Sequence, residues 1–178
     1  MASGLVSRKW VMRLTFAVLC LAILFLQLLP LETTPRRWAG PDWLVVLTVA
    51  WAARQPKYTP PVLVAALFLL ADLLLLRPPG LLAAIMVVAT HFLNSRASGL
   101  RAATFTTEWL TAAAVMVGVA LTYRLGLTIF MVHHVPLGLP LMQVIMNIAI
   151  YPLVVFLSAI LCGVRRTKAR DTAMGAVT

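Results

Sequence analysis

Long uninterrupted apolar runs alternate along the chain with short clusters of proline, glycine and basic residues. The runs cover residues 14–29, 43–53, 62–76, 81–93, 109–132 and 137–164. They are apolar all round rather than striped at the 3.6-residue period of a surface helix, so each predicts a helix whose whole circumference meets apolar surroundings. The first and last runs are long enough to cross a bilayer with their flanks. The third has 15 residues, about 22 Å of helix against a hydrocarbon core of about 30 Å. The second to fourth runs are all short on this measure. The pattern therefore predicts an all-α polytopic membrane protein with about six transmembrane helices of unequal length. The breakers place tight connections at Gln55-Pro56-Lys57-Tyr58-Thr59-Pro60-Pro61 and at Arg77-Pro78-Pro79-Gly80.

Composition agrees: 62% of the residues are hydrophobic and 11% charged, where soluble domains carry about 45–50% and about 25%. This excludes a disordered chain and a secreted disulfide scaffold, and leaves few polar residues for a soluble enzyme. Cys20 and Cys162 each sit inside an apolar run without a ligand-spaced partner, and are read as small lipid- or core-facing residues. No small-x-small cleavage site follows the first run, which continues into Pro30, Leu31 and Glu32, so it is expected to be a retained first helix.

Fifteen basic against five acidic residues give a net charge of +10, but the basic residues are dealt out between apolar runs rather than gathered on a polar surface. Nucleic acid is therefore not an expected partner, whereas lipid headgroups are. A six-span arrangement with both termini cytoplasmic puts eleven basic residues inside (Arg8, Lys9, Arg13, Arg54, Lys57, Arg96, Arg101, Arg165, Arg166, Lys168, Arg170) and four outside (Arg36, Arg37, Arg77, Arg124), the bias expected of a bacterial inner-membrane protein. The chain then divides into a basic N-terminus (1–13), a transmembrane domain (14–165) and a basic tail (166–178) expected to be disordered. Aromatic residues fall near the predicted boundaries as membrane-interface anchors: Trp10, Trp51, Tyr58 and Trp109 inside, and Trp38, Trp43 and Tyr123 outside. The polar stretch 94–108 reads as a cytoplasmic loop or amphipathic connector. Arg124 interrupts the fifth run, which places that span at 103–123 and residues 125–135 at the outer interface; one long helix continuing past the membrane is the alternative.

Asp72, among leucines one turn before Pro78, reads either as a polar contact or pin between helices, or as a hydrated interfacial carboxylate beside Arg77. Asn147, with Gln143 one turn earlier, can hydrogen-bond across helices, and Pro152 removes a backbone bond and can kink the last helix. Gly40-Pro41-Asp42-Trp43 is a helix start, with proline tolerated in the first turn and aspartate favoured at the positive end. Ala112-Ala113-Ala114 with Gly118 offers a small-residue face. The adjacent His133 and His134 have no ligand neighbours, so no metal or other cofactor is expected, and no nucleophile-and-base motif suggests an enzyme.

Taken in order, Pro41-Asp42-Trp43, Trp51, Asp72 followed by Pro79-Gly80, and Asn147 with Tyr151-Pro152 resemble the MreD family of rod shape-determining proteins over roughly residues 10–165. Phe68 stands where the family pattern has a glycine, four residues before the aspartate. The resemblance implies a fold similar to the substrate-binding subunits of energy-coupling-factor transporters. It also implies a non-catalytic subunit of the cell-elongation machinery that partners MreC and, directly or through it, MreB, RodA and a class B penicillin-binding protein. Partner or packing roles would fall to Pro41, Asp42, Trp43, Asp72, Gly80, Asn147 and Pro152. A small-molecule-binding transporter subunit is the alternative that the fold similarity implies.

Overall fold

The computed structural model describes residues 2–29, 39–130 and 137–161. The readings made of Glu32, Arg36, Arg37, Trp38, His133, His134, Cys162 and the tail lie outside the described residues. Within them the chain is all-helical: α1 (Ala2–Leu28), α2 (Trp43–Arg54), α3 (Pro61–Leu74), α4 (Leu81–Ala102), α5 (Phe105–Ile129) and α6 (Gly138–Leu161), with one 3-10 turn at Pro56–Tyr58. Four of them, all but α2 and α3, are long and apolar enough to cross a membrane. The chain is thus an all-α polytopic membrane protein. Its basic N-terminal residues continue α1 rather than precede it.

The layout is set by α2. All ten residues from Leu44 to Ala53 are buried, which is possible only if neighbours surround the helix. α4 and α6 cover it most extensively, with α5 and α1 completing the shell and α3 packed on α4. α6 buries Asn147, Tyr151, Val154, Val155 and Ser158, a single stripe at spacings of three and four. Among the described side chains of α1 only Phe16, Cys20 and Leu24 are buried, one per turn, so Cys20 faces the core. Two threonine hydroxyls inside the bundle are satisfied within their own helices: Thr48 donates to the Leu44 carbonyl at 2.7 Å and Thr90 to that of Met86 at 2.8 Å.

Three expectations are corrected. Residues 94–108 do not form a loop: α4 runs to Ala102 and α5 starts at Phe105, because the apolar positions Leu93, Ala97 and Leu100 keep one buried face through the polar stretch. The fourth helix is accordingly not short. Nor does α5 end near Tyr123; it continues past Arg124 to Ile129, packed so closely on the start of α4 that a Cβ on Gly126 would lie 2.7 Å from Leu81 Cδ1.

The α3–α4 turn closes by a specific device. The Arg77 N–H donates to the Asp72 carbonyl at 2.9 Å across Leu76, the six-to-one bond of a Schellman motif, and Leu76 holds the left-handed conformation with φ +53°. Glycine normally takes that place, yet Leu76 is 94% exposed and makes no packing contribution that offsets the strain. Gly80 then opens α4 at φ +84°. Leu76→Gly is therefore expected to stabilise the protein by about 0.5–1 kcal/mol, the left-handed cost of a leucine less the extra chain entropy of glycine. Gly80→Ala is expected to destabilise it by about 1 kcal/mol, although only Leu69 Cδ1 lies near an added Cβ, at 4.0 Å. Unfolding titrations of both variants in detergent check the opposite signs.

Candidate functional site

A buried helix of 12 residues is only about 18 Å long, so the polar groups at its ends lie inside the protein and need protein partners. Both ends are supplied, by different chemistry.

At the first end Asp42 caps α2, its Oδ1 accepting from the Val45 N–H at 3.3 Å. Pro41 falls one residue ahead of the cap rather than in the first turn, and Trp43, the first helical residue, keeps 40% of its surface. The backbone N–H of Asp42 donates to Asn147 Oδ1 of α6 at 2.7 Å. The Arg77 guanidinium lies 3.6 Å from Asp42 Oδ2, an ion pair joining the α3–α4 turn to the start of α2. Asp72 sits beside it, wholly buried, with Oδ2 accepting from the N–H groups of Gly80 at 3.1 Å and Ala83 at 3.3 Å. It is a cap supplied from one helix to the next. The hydrated interfacial reading of Asp72 is thus overturned, because two orphan donors of α4 draw the carboxylate inward.

These residues border a cavity of about 290 Å³. Its polar wall is Asp42, Arg77, Tyr123, Arg124, Gln143 and Asn147; Val45, Leu82, Met116, Val119, Ala120, Leu127, Pro140 and Val144 form the apolar part. Gln143 and Asn147, predicted as a pair, share this wall. Tyr123, predicted as an interface anchor, is half-buried in it.

At the other end Arg54 Nε donates to Glu108 Oε1 at 2.8 Å, with both side chains nearly buried. The Tyr151 hydroxyl donates to the same oxygen at 3.0 Å. Helices α2, α5 and α6 meet on this one carboxylate. Glu108 was missed in the sequence because it closes the polar stretch read as a loop; the signal available was its place directly before Trp109 and the fifth apolar run. Trp51 is fully buried here, donating its indole N–H to Ser158 Oγ at 3.2 Å and packing against Phe16 and Tyr58. Neither it nor half-buried Tyr58 is a free interface anchor: a tryptophan on a helix buried on all sides has no headgroup to reach. Trp10 alone of the described inner set is well exposed, with the Arg13 guanidinium 5.4 Å from its ring centre.

Trp109 is also turned inward, and its partner explains Pro152. A proline at 152 has no N–H for the carbonyl of residue 148; the Trp109 indole N–H donates to that carbonyl at 3.0 Å. The gap left in α6 is filled from α5. A further groove, about 390 Å³ and almost wholly apolar, lies between α4 and α5, lined among others by Ala84, Val88, Ala89, Gly118 and Val119. Ala112 is buried, whereas Ala114 and Gly118 face outward, and a Cβ on Gly118 would meet nothing within 4 Å.

Among the described residues no group of three or more His, Cys, Asp or Glu could hold a metal ion. Compared with protein-family profiles, curated proteins and solved structures, the chain matches none.

Two outcomes are expected. Trp109→Phe leaves the Ile148 carbonyl unpaired and costs about 1–3 kcal/mol, but in a Pro152→Ala background the restored N–H reduces that cost by about 1 kcal/mol; a double-mutant cycle of unfolding free energies reads the coupling. Glu108→Ala strands Arg54 and costs about 3–5 kcal/mol, the largest loss of any single polar truncation, measurable as a lowered thermal midpoint.

Proposed function

We propose that the protein is a non-catalytic inner-membrane subunit of the bacterial cell-elongation complex, of the kind represented by MreD, supporting cell shape and peptidoglycan synthesis. Its partners are MreC and, directly or through it, MreB, RodA and a class B penicillin-binding protein. The observation that supports this reading most is the convergence of the three separate motifs that carry the resemblance. Asp42 bonds Asn147, Arg77 pairs with Asp42, and Asp72 caps the helix that Gly80 opens, so Asp42, Asp72, Gly80 and Asn147, one or two from each motif, gather at one end of the bundle, while Trp51 and Tyr151 lie toward the other. The departure at Phe68 fits the same arrangement, since its ring is buried in the core rather than blocking the α3–α4 pair.

The same end, with Arg77 and Arg124, faces outward in this reading, and the end with Arg54, Lys57 and Arg96 faces the cytoplasm together with both termini, as the distribution of basic residues favours. Partner helices are met by the lipid-facing surfaces, where Ala114 and Gly118 lie one turn apart on an outward face and permit close helix approach. The second reading, a small-molecule-binding transporter subunit, is favoured by the cavity beside Asp42.

Purification of the tagged protein from detergent-solubilised native membranes, with mass spectrometry of what comes with it, separates the two. Recovery of MreC or the elongation synthases is expected, and Gly118→Leu, which fits the isolated fold, is expected to lower it. Recovery of an ATPase pair with a long-helix membrane partner overturns the scaffold reading in favour of the transporter one.

A further inference from the structure

The bundle presents apolar surfaces of unequal depth to its surroundings. On α5 the exposed large apolar side chains run from Leu110 to Ile129 and on α6 from Leu137 to Leu161, about 29 Å and about 36 Å along the axis, enough to fill a hydrocarbon core of about 30 Å. The one charge in that stretch of α5, Arg124, turns into the cavity wall, and α6 carries none there. The side formed by α3 and α4 is much shallower. α3 has 14 residues, about 21 Å, and every exposed position from Val62 to Leu76 is valine, alanine or leucine. Charge begins directly beyond, with exposed Lys57 before the helix and part-exposed Arg77 after it. On α4 the exposed positions up to Arg96 are Ala84, Val88, His91, Phe92, Ser95 and Arg96, so polarity starts at His91, about 15 Å from Leu81. Tilting a helix only shortens the depth it spans, so these lengths are upper bounds.

Long basic side chains commonly relieve such a mismatch by reaching outward to water, but the arginines at these edges are held. Arg77 lies 3.6 Å from Asp42 Oδ2. Arg13 Nε donates to the Lys57 carbonyl at 3.1 Å, which fixes the edge where α1 meets the 3-10 turn. The Arg96 guanidinium lies 4.6 Å from the centre of the Phe92 ring, folded back along α4 toward the middle of the bundle, as helical side chains lie over the preceding turn. The charges therefore stay at the ends of a short apolar face. The occupant of that face follows from its side chains. Valine and leucine form a bulky, smooth surface suited to acyl chains, whereas close helix approach uses small residues, and Ala89 and Gly118 supply those in the groove between α4 and α5.

We propose that the α3–α4 side is a lipid interface that draws the two bilayer surfaces together, to about 21 Å of hydrocarbon, while the α5–α6 side meets lipid of ordinary depth. The proposal stands independently of the partner assignment above. Its test uses the full chain, with Cys20 and Cys162 replaced by alanine, in vesicles of dioleoyl phosphatidylcholine. Single nitroxide labels go on cysteines placed at Val62 or Leu76, or at Leu141 or Phe156 of α6, two exposed pairs about 21 Å and about 22 Å apart along the chain axis. Accessibility to a water-soluble nickel chelate is read relative to oxygen, which partitions into hydrocarbon. The ratio is expected to be at least about twofold higher at both α3 positions than at both α6 positions, and the difference is expected to shrink in the thinner dimyristoleoyl vesicles. Arg13→Leu, Lys57→Leu and Arg96→Leu together are expected to lower the ratio at Val62 to the α6 value and to leave Leu76 unchanged. Arg8→Gln, on the exposed start of α1, is expected to change neither. Equal ratios on α3 and α6 in dioleoyl vesicles overturn the proposal, since the bilayer then keeps its depth around the whole bundle. Labels on α3 that neither probe reaches overturn it in favour of a face covered by a second copy of the chain. A ratio at Val62 that the triple substitution leaves unchanged overturns it too, because the held charges then do not set the edge.

Discussion

The structure depends on one constraint: its central helix is too short to leave the protein. α2 has 12 residues, about 18 Å in a membrane about 30 Å thick, and it is buried continuously from Leu44 to Ala53. Water and lipid headgroups satisfy the ends of an ordinary transmembrane helix, but the ends of this one lie among other helices. Its first N–H groups and last carbonyls, and any charge placed near them, must find partners on neighbouring elements or carry a desolvation cost of several kcal/mol. The polar residues of the bundle interior are arranged accordingly. Asp42 and Asn147 serve the start of α2, and Arg54, Glu108 and Tyr151 cluster at its finish.

The two ends meet the same requirement with opposite results. At the Arg54 end one carboxylate oxygen receives both a guanidinium and a phenol, and the side chains close over each other until almost nothing is exposed. Such a pair ties three helices together while contributing little net stability, because the Coulombic gain is largely offset by dehydration. At the Asp42 end the carboxylate is divided between a helix cap and a longer ion pair, and the surrounding helices stand apart enough to leave a cavity. The closed end fixes the relative positions of α2, α5 and α6, which is what allows the other end to stay open without the bundle collapsing into the space.

The six helices were legible in the sequence because apolar runs and proline-glycine breakers report membrane solvation directly. The errors share a single cause, which is that polarity was read as exposure. Residues 94–108 look like a loop only if Arg96 and Glu108 must both face water; in the fold Arg96 does, while Glu108 faces Arg54 and Tyr151, 54 and 43 residues away in sequence. Trp51 at the end of a run resembles an interfacial tryptophan, and nothing local says that the helix carrying it is enclosed. Asp42, Asp72 and Asn147 could be singled out one by one, since each interrupts apolar surroundings. That Asn147 reaches the backbone of Asp42, 105 positions away, depends on helix order that periodicity does not encode. Pro152 was legible as a missing hydrogen bond, but its replacement donor, Trp109, belongs to another helix.

The cavity and the outer groove are joined by one side chain. Val119 lies in the wall of both, on the face of α5 that packs against α4, so a helix seated in the groove and an occupant of the cavity press on the same residue from two sides. Arg77 makes a second junction, since its ion pair with Asp42 ties the cap of α2 to the turn that Asp72 and Leu76 close. The open end of the bundle is therefore held by contacts that several helices share, so a change at one of them is carried to the others.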